Sequence, residues 1–120
     1  PYHCQCQKTT RLLKERLGWP DEKIVTTFQS RFGPEEWLKP YTVEEVARLA
    51  EAGKKRIAVC APAFSADCIE TLEEINEEIR ESFEEAGGEE FTYIPCLNDD
   101  DAHIAALSKV IDDNLKGWLG

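Results

Sequence analysis

Arg56-Ile57-Ala58-Val59-Cys60-Ala61 is a short, nearly continuous apolar run, the pattern of a central parallel strand buried on both faces. Directly after it, Ser65-Ala66-Asp67-Cys68-Ile69-Glu70-Thr71-Leu72-Glu73-Glu74 opens a long acidic helix that runs to about Ala86 and is closed by Gly87-Gly88. A buried strand feeding straight into a helix is the repeating unit of an α/β fold.

The alternation continues outward from this unit. Upstream, Thr42-Val43-Glu44-Glu45 reads as a capping box, with Thr42 accepting from the third amide and Glu45 reaching back, and the helix it starts ends near Gly53. Ile24-Val25-Thr26-Thr27-Phe28 is β-branched and aromatic and predicts a strand, followed by a loop to Tyr41 punctuated by Gly33, Pro34 and Pro40. Residues 3–17 predict a helix with Cys4, Leu12, Leu13 and Leu17 roughly on one face, stopped by Gly18 with Pro20 beyond. Downstream, Phe91-Thr92-Tyr93-Ile94 predicts a third strand. Residues 101–118 then predict a last helix carrying Ile104, Leu107, Val110, Ile111 and Leu115 on its apolar side. Asn98-Asp99-Asp100-Asp101 supplies carboxylates to that helix's positive end. The order α-β-α-β-α-β-α implies a three-layer arrangement, a right-handedly wound parallel sheet flanked by helices. A chain that starts on a helix and carries only three strands further implies a first strand left upstream.

Composition narrows the function classes. The 120 residues are about one domain's worth, and 42% hydrophobic content supports a packed core. A net charge of −10 argues against nucleic acid and anionic membrane surfaces, because phosphate binding needs clustered Lys and Arg. No apolar run approaches the roughly 18 residues of a membrane span. Five cysteines, an odd number without regular spacing, point away from a secreted disulfide scaffold and toward a reducing cytoplasm. The chain has no Met and opens on Pro1-Tyr2-His3, which implies either a removed leader or, the favoured reading, an excised piece of something longer.

The acidic helix carries the first functional signal. Glu70, Glu74 and Glu78 stand one turn apart and share a stripe. Like charges at that spacing cost a few tenths of a kcal/mol per pair. A helix that accepts this cost serves cations, protons or plain solubility. His3-Cys4-Gln5-Cys6 invites a metal, but cysteines two apart on a helix point to different sides, and packing is the simpler reading. Cys60, Cys68 and Cys96 read as small buried hydrophobes, Trp19 and Trp118 as structural, and His103 as exposed.

Three separated blocks resemble the C-terminal part of ferrochelatase: residues 28–38 (Phe28-Gln29-Ser30 through Trp37-Leu38), Ala63-Phe64-Ser65-Ala66-Asp67-Cys68-Ile69-Glu70-Thr71-Leu72, and Pro95-Cys96-Leu97-Asn98. Pro1-Tyr2-His3-Cys4-Gln5-Cys6-Gln7-Lys8-Thr9 resembles the helix start of proteobacterial members. The resemblance implies a Rossmann-like half-domain over residues 1–120, the C-terminal part of a two-domain enzyme that inserts ferrous iron into protoporphyrin IX, closing haem synthesis. It maps the active-site glutamate onto Glu70 and the acidic metal-side ladder onto Glu74 and Glu78, on a helix widened by a π-type distortion. It maps a porphyrin-lining tryptophan onto Trp37 and an aromatic position onto Phe28. The family's catalytic histidine sits on a strand before Pro1-Tyr2, and His3 is not its counterpart. Several relatives hold an iron–sulfur cluster through cysteines of a C-terminal tail. This chain stops at Gly120 without one, so no cluster and no permanently bound cofactor are expected.

The partners implied are protoporphyrin IX, ferrous iron and the missing N-terminal half, without which the fragment is expected to be inactive. Mutual repulsion in the ladder is expected to raise at least one of its pKa values toward neutrality if the site is partly buried. Two other readings stay open: a chelatase for another tetrapyrrole or metal, and a non-catalytic acidic module. Peripheral membrane association of the whole protein also stays open. An unpaired sheet edge predicts homo-oligomers or aggregates at high concentration.

Overall fold

The computed structural model describes residues 1–30 and 33–118. Arg31 and Phe32 of the first resembling block, and Leu119 and Gly120, lie outside the described residues. In chain order the elements are α1 (Tyr2–Leu17), a 3-10 turn (Asp21–Lys23), α2 (Thr42–Glu51), β1 (Arg56–Val59), a π-helix (Glu70–Ile79) continuing as α3 (Arg80–Glu85), β2 (Glu90–Tyr93) and α4 (Asp101–Leu115). β1 and β2 pair in parallel, with Arg56 opposite Glu90 and Val59 opposite Tyr93. The architecture is α/β, as expected.

The core forms where three amphipathic surfaces meet. Val46 and Ala50 from α2, Ile75 and Ile79 from the π-helix, Phe83 from α3 and Phe91 from β2 make one buried cluster. Phe83 is fully buried, its ring 6.0 Å from that of Phe91 at a tilt of 54°. Aromatic pairs favour such tilted geometry. The Arg80 guanidinium covers the other side, 4.9 Å from the Phe91 ring centroid, and donates to the Phe91 carbonyl at 2.7 Å. Gly87, at φ 101°, takes the left-handed turn that ends α3. Its carbonyl accepts from Lys55 Nζ at 2.7 Å, which ties the turn to the start of β1.

The structure corrects four expectations. Residues 24–28 run extended but form no strand of the sheet. Phe28 makes a single parallel bridge to Tyr41 and nothing longer, so the described sheet has two strands rather than three. β1 alternates exposed and half-buried residues instead of being buried on both faces, because Ile57 and Val59 pack against the core cluster while Arg56 and Ala58 do not join it. Thr42 does not cap α2. The cap position falls to Tyr41, without a side-chain bond, because the Thr42 hydroxyl donates to Thr27 Oγ1 at 2.8 Å and Glu45 pairs with Arg48. The acidic helix starts at Ile69, not Ser65, and its first ten residues past that point are π-helical. The π-type widening implied by the resemblance is therefore present.

The capping of α4 follows the sequence: Asp100 Oδ1 accepts from the Ala102 amide at 2.9 Å. Neither α1 nor α4 buries a residue, however. Leu12 and Leu17 on α1, and Ile104, Val110 and Ile111 on α4, all remain exposed.

Candidate active site

A cavity of about 400 Å³ opens between α1, the extended segment ending at Ser30 and the turn that follows β1. Phe28 lies in its wall because its backbone is clamped on the far side. The Phe28 amide donates to the Pro40 carbonyl at 2.9 Å, and its carbonyl accepts from the Thr42 amide at 2.9 Å. The Phe28 ring is 6% exposed and stacks on His3, centroids 5.7 Å apart. Trp37 also lines the cavity and is 42% exposed. Its amide donates to the Tyr41 hydroxyl at 3.3 Å, which holds the loop to the start of α2. The two aromatic residues singled out by the sequence are thus brought to one concave surface. A flat apolar ring finds matching faces there.

The acidic ladder stands beside this cavity rather than in its lining. Two wall residues reach it. Gln29 Nε2 donates to the Glu70 carbonyl at 3.0 Å, and Ser30 Oγ donates to Glu74 Oε2 at 2.6 Å. Glu70 and Glu78 are exposed and Glu74 is half-buried. The Glu70 carboxylate accepts from the Cys68 thiol and from its own amide, which holds its pKa below the usual carboxylate range. At Glu70 the shift is thus downward, because these local donors stabilise the charged form more than burial disfavours it.

Among the described residues, no three of the His, Cys, Asp and Glu side chains converge on one metal position. The glutamates offer monodentate, open oxygen ligands, which suit a hydrated divalent ion in transit better than a resident one. The five cysteines are free and dispersed over α1, the β1 turn, the π-helix start and the segment after β2. This set does not fit an iron–sulfur cluster, which needs converging cysteine ligands.

Sequence reasoning missed the most densely bonded side chain near the site, Asp67. Its carboxylate accepts from the Tyr93 hydroxyl, from Thr71 Oγ1 at 2.9 Å and from Asn98 Nδ2 at 2.9 Å. Asn98 Oδ1 returns a bond from the Asp67 amide at 2.9 Å. His103, expected to be exposed, is half-buried and extends the tie: its Nδ1 lies 2.7 Å from the Asn98 carbonyl and its Nε2 3.0 Å from Ser65 Oγ. The Tyr93 hydroxyl and then the Asn98 amide push the Asp67 pKa far below the carboxylate norm. Burial, then the Asp67 contact, pushes the Tyr93 phenol up. Together these bonds fix the residues just ahead of Glu70 to the end of β2. The one sequence signal was Asp67 placed four before Thr71 at a helix entrance.

A family model described as Ferrochelatase matches residues 1–115 of this chain. A ferrochelatase from Rhodobacter capsulatus is 76% identical over 119 residues, covering 99% of this chain and 34% of the relative. One from Marinobacter nauticus is 61% identical over 118 residues, covering 98% of this chain and 32% of its own. One from Allorhizobium ampelinum is 60% identical over 119 residues, covering 99% and 35%. The chain spans about a third of the length of these curated relatives.

Proposed function

The chain belongs to the ferrochelatase family, and from that premise we propose that it is the C-terminal portion of an enzyme inserting ferrous iron into protoporphyrin IX during haem synthesis. The observation that carries this reading is the pair of bonds from the cavity wall to the ladder: Gln29 to Glu70 and Ser30 to Glu74. They register a row of carboxylates against the surface that holds Phe28 and Trp37.

The chemistry exchanges one divalent cation for two pyrrole protons, so charge balances without a redox step. A ring seated against Phe28 and Trp37 presents its nitrogens toward the ladder. Glu70, kept ionised by the Cys68 thiol and its own amide, attracts the cation. Together with a histidine from the upstream part of the enzyme it takes up protons as the metal enters. Glu74 and Glu78 then pass the cation or carry protons along the helix. The wide π-turn displays them on a stripe that continues toward solvent. Five free thiols suit a reducing cytoplasm. Among the described residues no helix is long and apolar enough to cross a membrane.

The test joins residues 1–120 to the preceding two-thirds of the Rhodobacter capsulatus relative and follows loss of protoporphyrin fluorescence on adding ferrous iron. Glu70→Gln is expected to lower kcat about 10²–10⁴-fold, the usual scale for losing a general base, with a smaller change in KM for porphyrin. An unchanged kcat would overturn the assignment of Glu70. Residues 1–120 alone are expected to insert no iron above the uncatalysed rate.

A further inference from the structure

The acidic helix enters without a cap of its own. Ile69, at the cap position, makes no side-chain hydrogen bond. Glu70 is exposed, so little packing bears on its side chain, and the carboxylate points where the backbone sends it. From the cavity side, Gln29 holds the Glu70 carbonyl. From the other side, the holding group stands at the end of β2.

There Tyr93 packs its ring on the core cluster and donates its hydroxyl to Asp67. Asp67 accepts as an ion, its pKa pushed far down by this bond and by Asn98, and charge-assisted hydrogen bonds are shorter and stronger than neutral ones. The same carboxylate accepts from Thr71 Oγ1 at 2.9 Å, and Thr71 is fully buried. Thr71 Oγ1 in turn accepts from the Cys68 amide at 2.9 Å, while the Cys68 carbonyl accepts from the Leu72 amide at 2.8 Å. Both backbone groups of Cys68 are thus engaged, two residues ahead of Glu70. Its thiol donates to Glu70 itself. Bonds therefore run without a gap from β2 to the carboxylate, through Asp67, Thr71 and Cys68.

Asn98 keeps this line in register. It holds a left-handed backbone, φ 49°, which few residues other than Gly, Asn and Asp tolerate. Its side chain donates to Asp67 Oδ2 and accepts from the Asp67 amide, each at 2.9 Å, and its own amide donates to the Ser65 carbonyl at 3.0 Å. Asp67 cannot swing away from Tyr93 without breaking bonds at both its side chain and its backbone.

We propose that Tyr93 is a positioning residue for Glu70: acting through Asp67 and Thr71, its hydroxyl fixes the Cys68 backbone and with it the direction in which the Glu70 carboxylate leaves the helix. The proposal rests on the reading of Glu70 as the group that takes up pyrrole protons. Tyr93 does not line the cavity, so its loss touches the rate and not the seating of the ring. A porphyrin resting on Phe28 and Trp37 is indifferent to a small turn of the helix entrance. A proton acceptor displaced by a fraction of an ångström is not.

The test uses residues 1–120 joined to the preceding two-thirds of the Rhodobacter capsulatus relative, and Tyr93→Phe, which keeps the ring and removes the hydroxyl alone. Its kcat is expected to fall roughly 10-fold, short of the ~10²-fold that a 1 Å misplacement costs, with KM for protoporphyrin within about twofold. Val46→Ala, in the core cluster and outside this line, is the control for lost stability. It is expected to lower the urea midpoint at least as far as Tyr93→Phe while keeping kcat within about twofold of the parent. Beside Glu70→Gln, Tyr93→Phe is expected to lower kcat no further, because residues acting through one group are not additive. An undiminished kcat for Tyr93→Phe, an equal loss in Val46→Ala, or a full further loss beside Glu70→Gln would each overturn the positioning role and leave Glu70 in place. A Glu70→Gln variant as fast as the parent would instead overturn the catalytic reading, and the positioning role with it.

Discussion

The two sides of β1 differ more than the sequence pattern on them does. Toward β2, helices α2 and α3 and the π-helix bury Phe83 completely and leave Ala50 and Ile75 each 1% exposed. Toward residues 24–28, α1 carries Leu12, Leu13 and Leu17 but is less amphipathic and buries nothing, and Phe28 is the single buried hydrophobic residue of that side among those described. An apolar stripe makes a core only where a second and third surface close over it. The first region has all its layers. The second has its outer helix and outer strand segment but an open centre.

The comparison breaks or sharpens under substitution. Phe83→Ala should cost about 3–5 kcal/mol, the range for deleting a buried aromatic ring, read as a lowered urea midpoint. A loss below about 1 kcal/mol would mean that the first side is no better packed than the second. Asp67→Asn should act through pH. Its folded pKa is depressed below the ordinary 3.8, so its stabilisation is present above that value and is lost as pH falls through the window beneath it. The native chain should therefore lose stability more steeply than Asp67→Asn between about pH 4 and pH 2. Parallel slopes in urea titrations at stepped pH would remove Asp67 from the links that hold the first side to β2. Leu12→Ala, on the exposed face of α1, should stay within about 0.5 kcal/mol of the parent. A core-sized loss would show that α1 is packed in solution after all.

The α/β character was legible because each segment's period is a local property. The existence and type of β1, the acidic helix and α4 read from spacing and punctuation, although the burial of β1 and the start and π winding of the acidic helix did not. What failed depends on partners distant in the chain. Thr42 and Glu45 have the spacing of a capping box, but Thr27, fifteen residues away, takes the Thr42 hydroxyl and Arg48 takes the carboxylate. Residues 24–28 have strand composition without a neighbour to pair with. At the site, Phe28 and Trp37 line one cavity, while Asp67 was missed because its partners Tyr93 and Asn98 lie 26 and 31 residues on. One signal was present and unread. Thr71, Ile75, Ile79 and Phe83 are all buried and recur strictly every four residues. An α-helix turns once per 3.6 residues, so that recurrence would drift about 40° per step. A π-helix, bonded from i to i+5, has a turn longer than four residues, so this spacing falls between the two helix types.

That longer turn makes the segment sensitive to residue count more than to residue identity. Removing any one position between Glu70 and Ile79 would let the backbone fall back to ordinary i to i+4 bonding, at little local expense. It would also rotate everything downstream against everything upstream, so the carboxylates and the apolar anchors would lose their shared alignment. Conservative exchanges inside the segment are tolerable on this view, whereas a single-codon deletion is not.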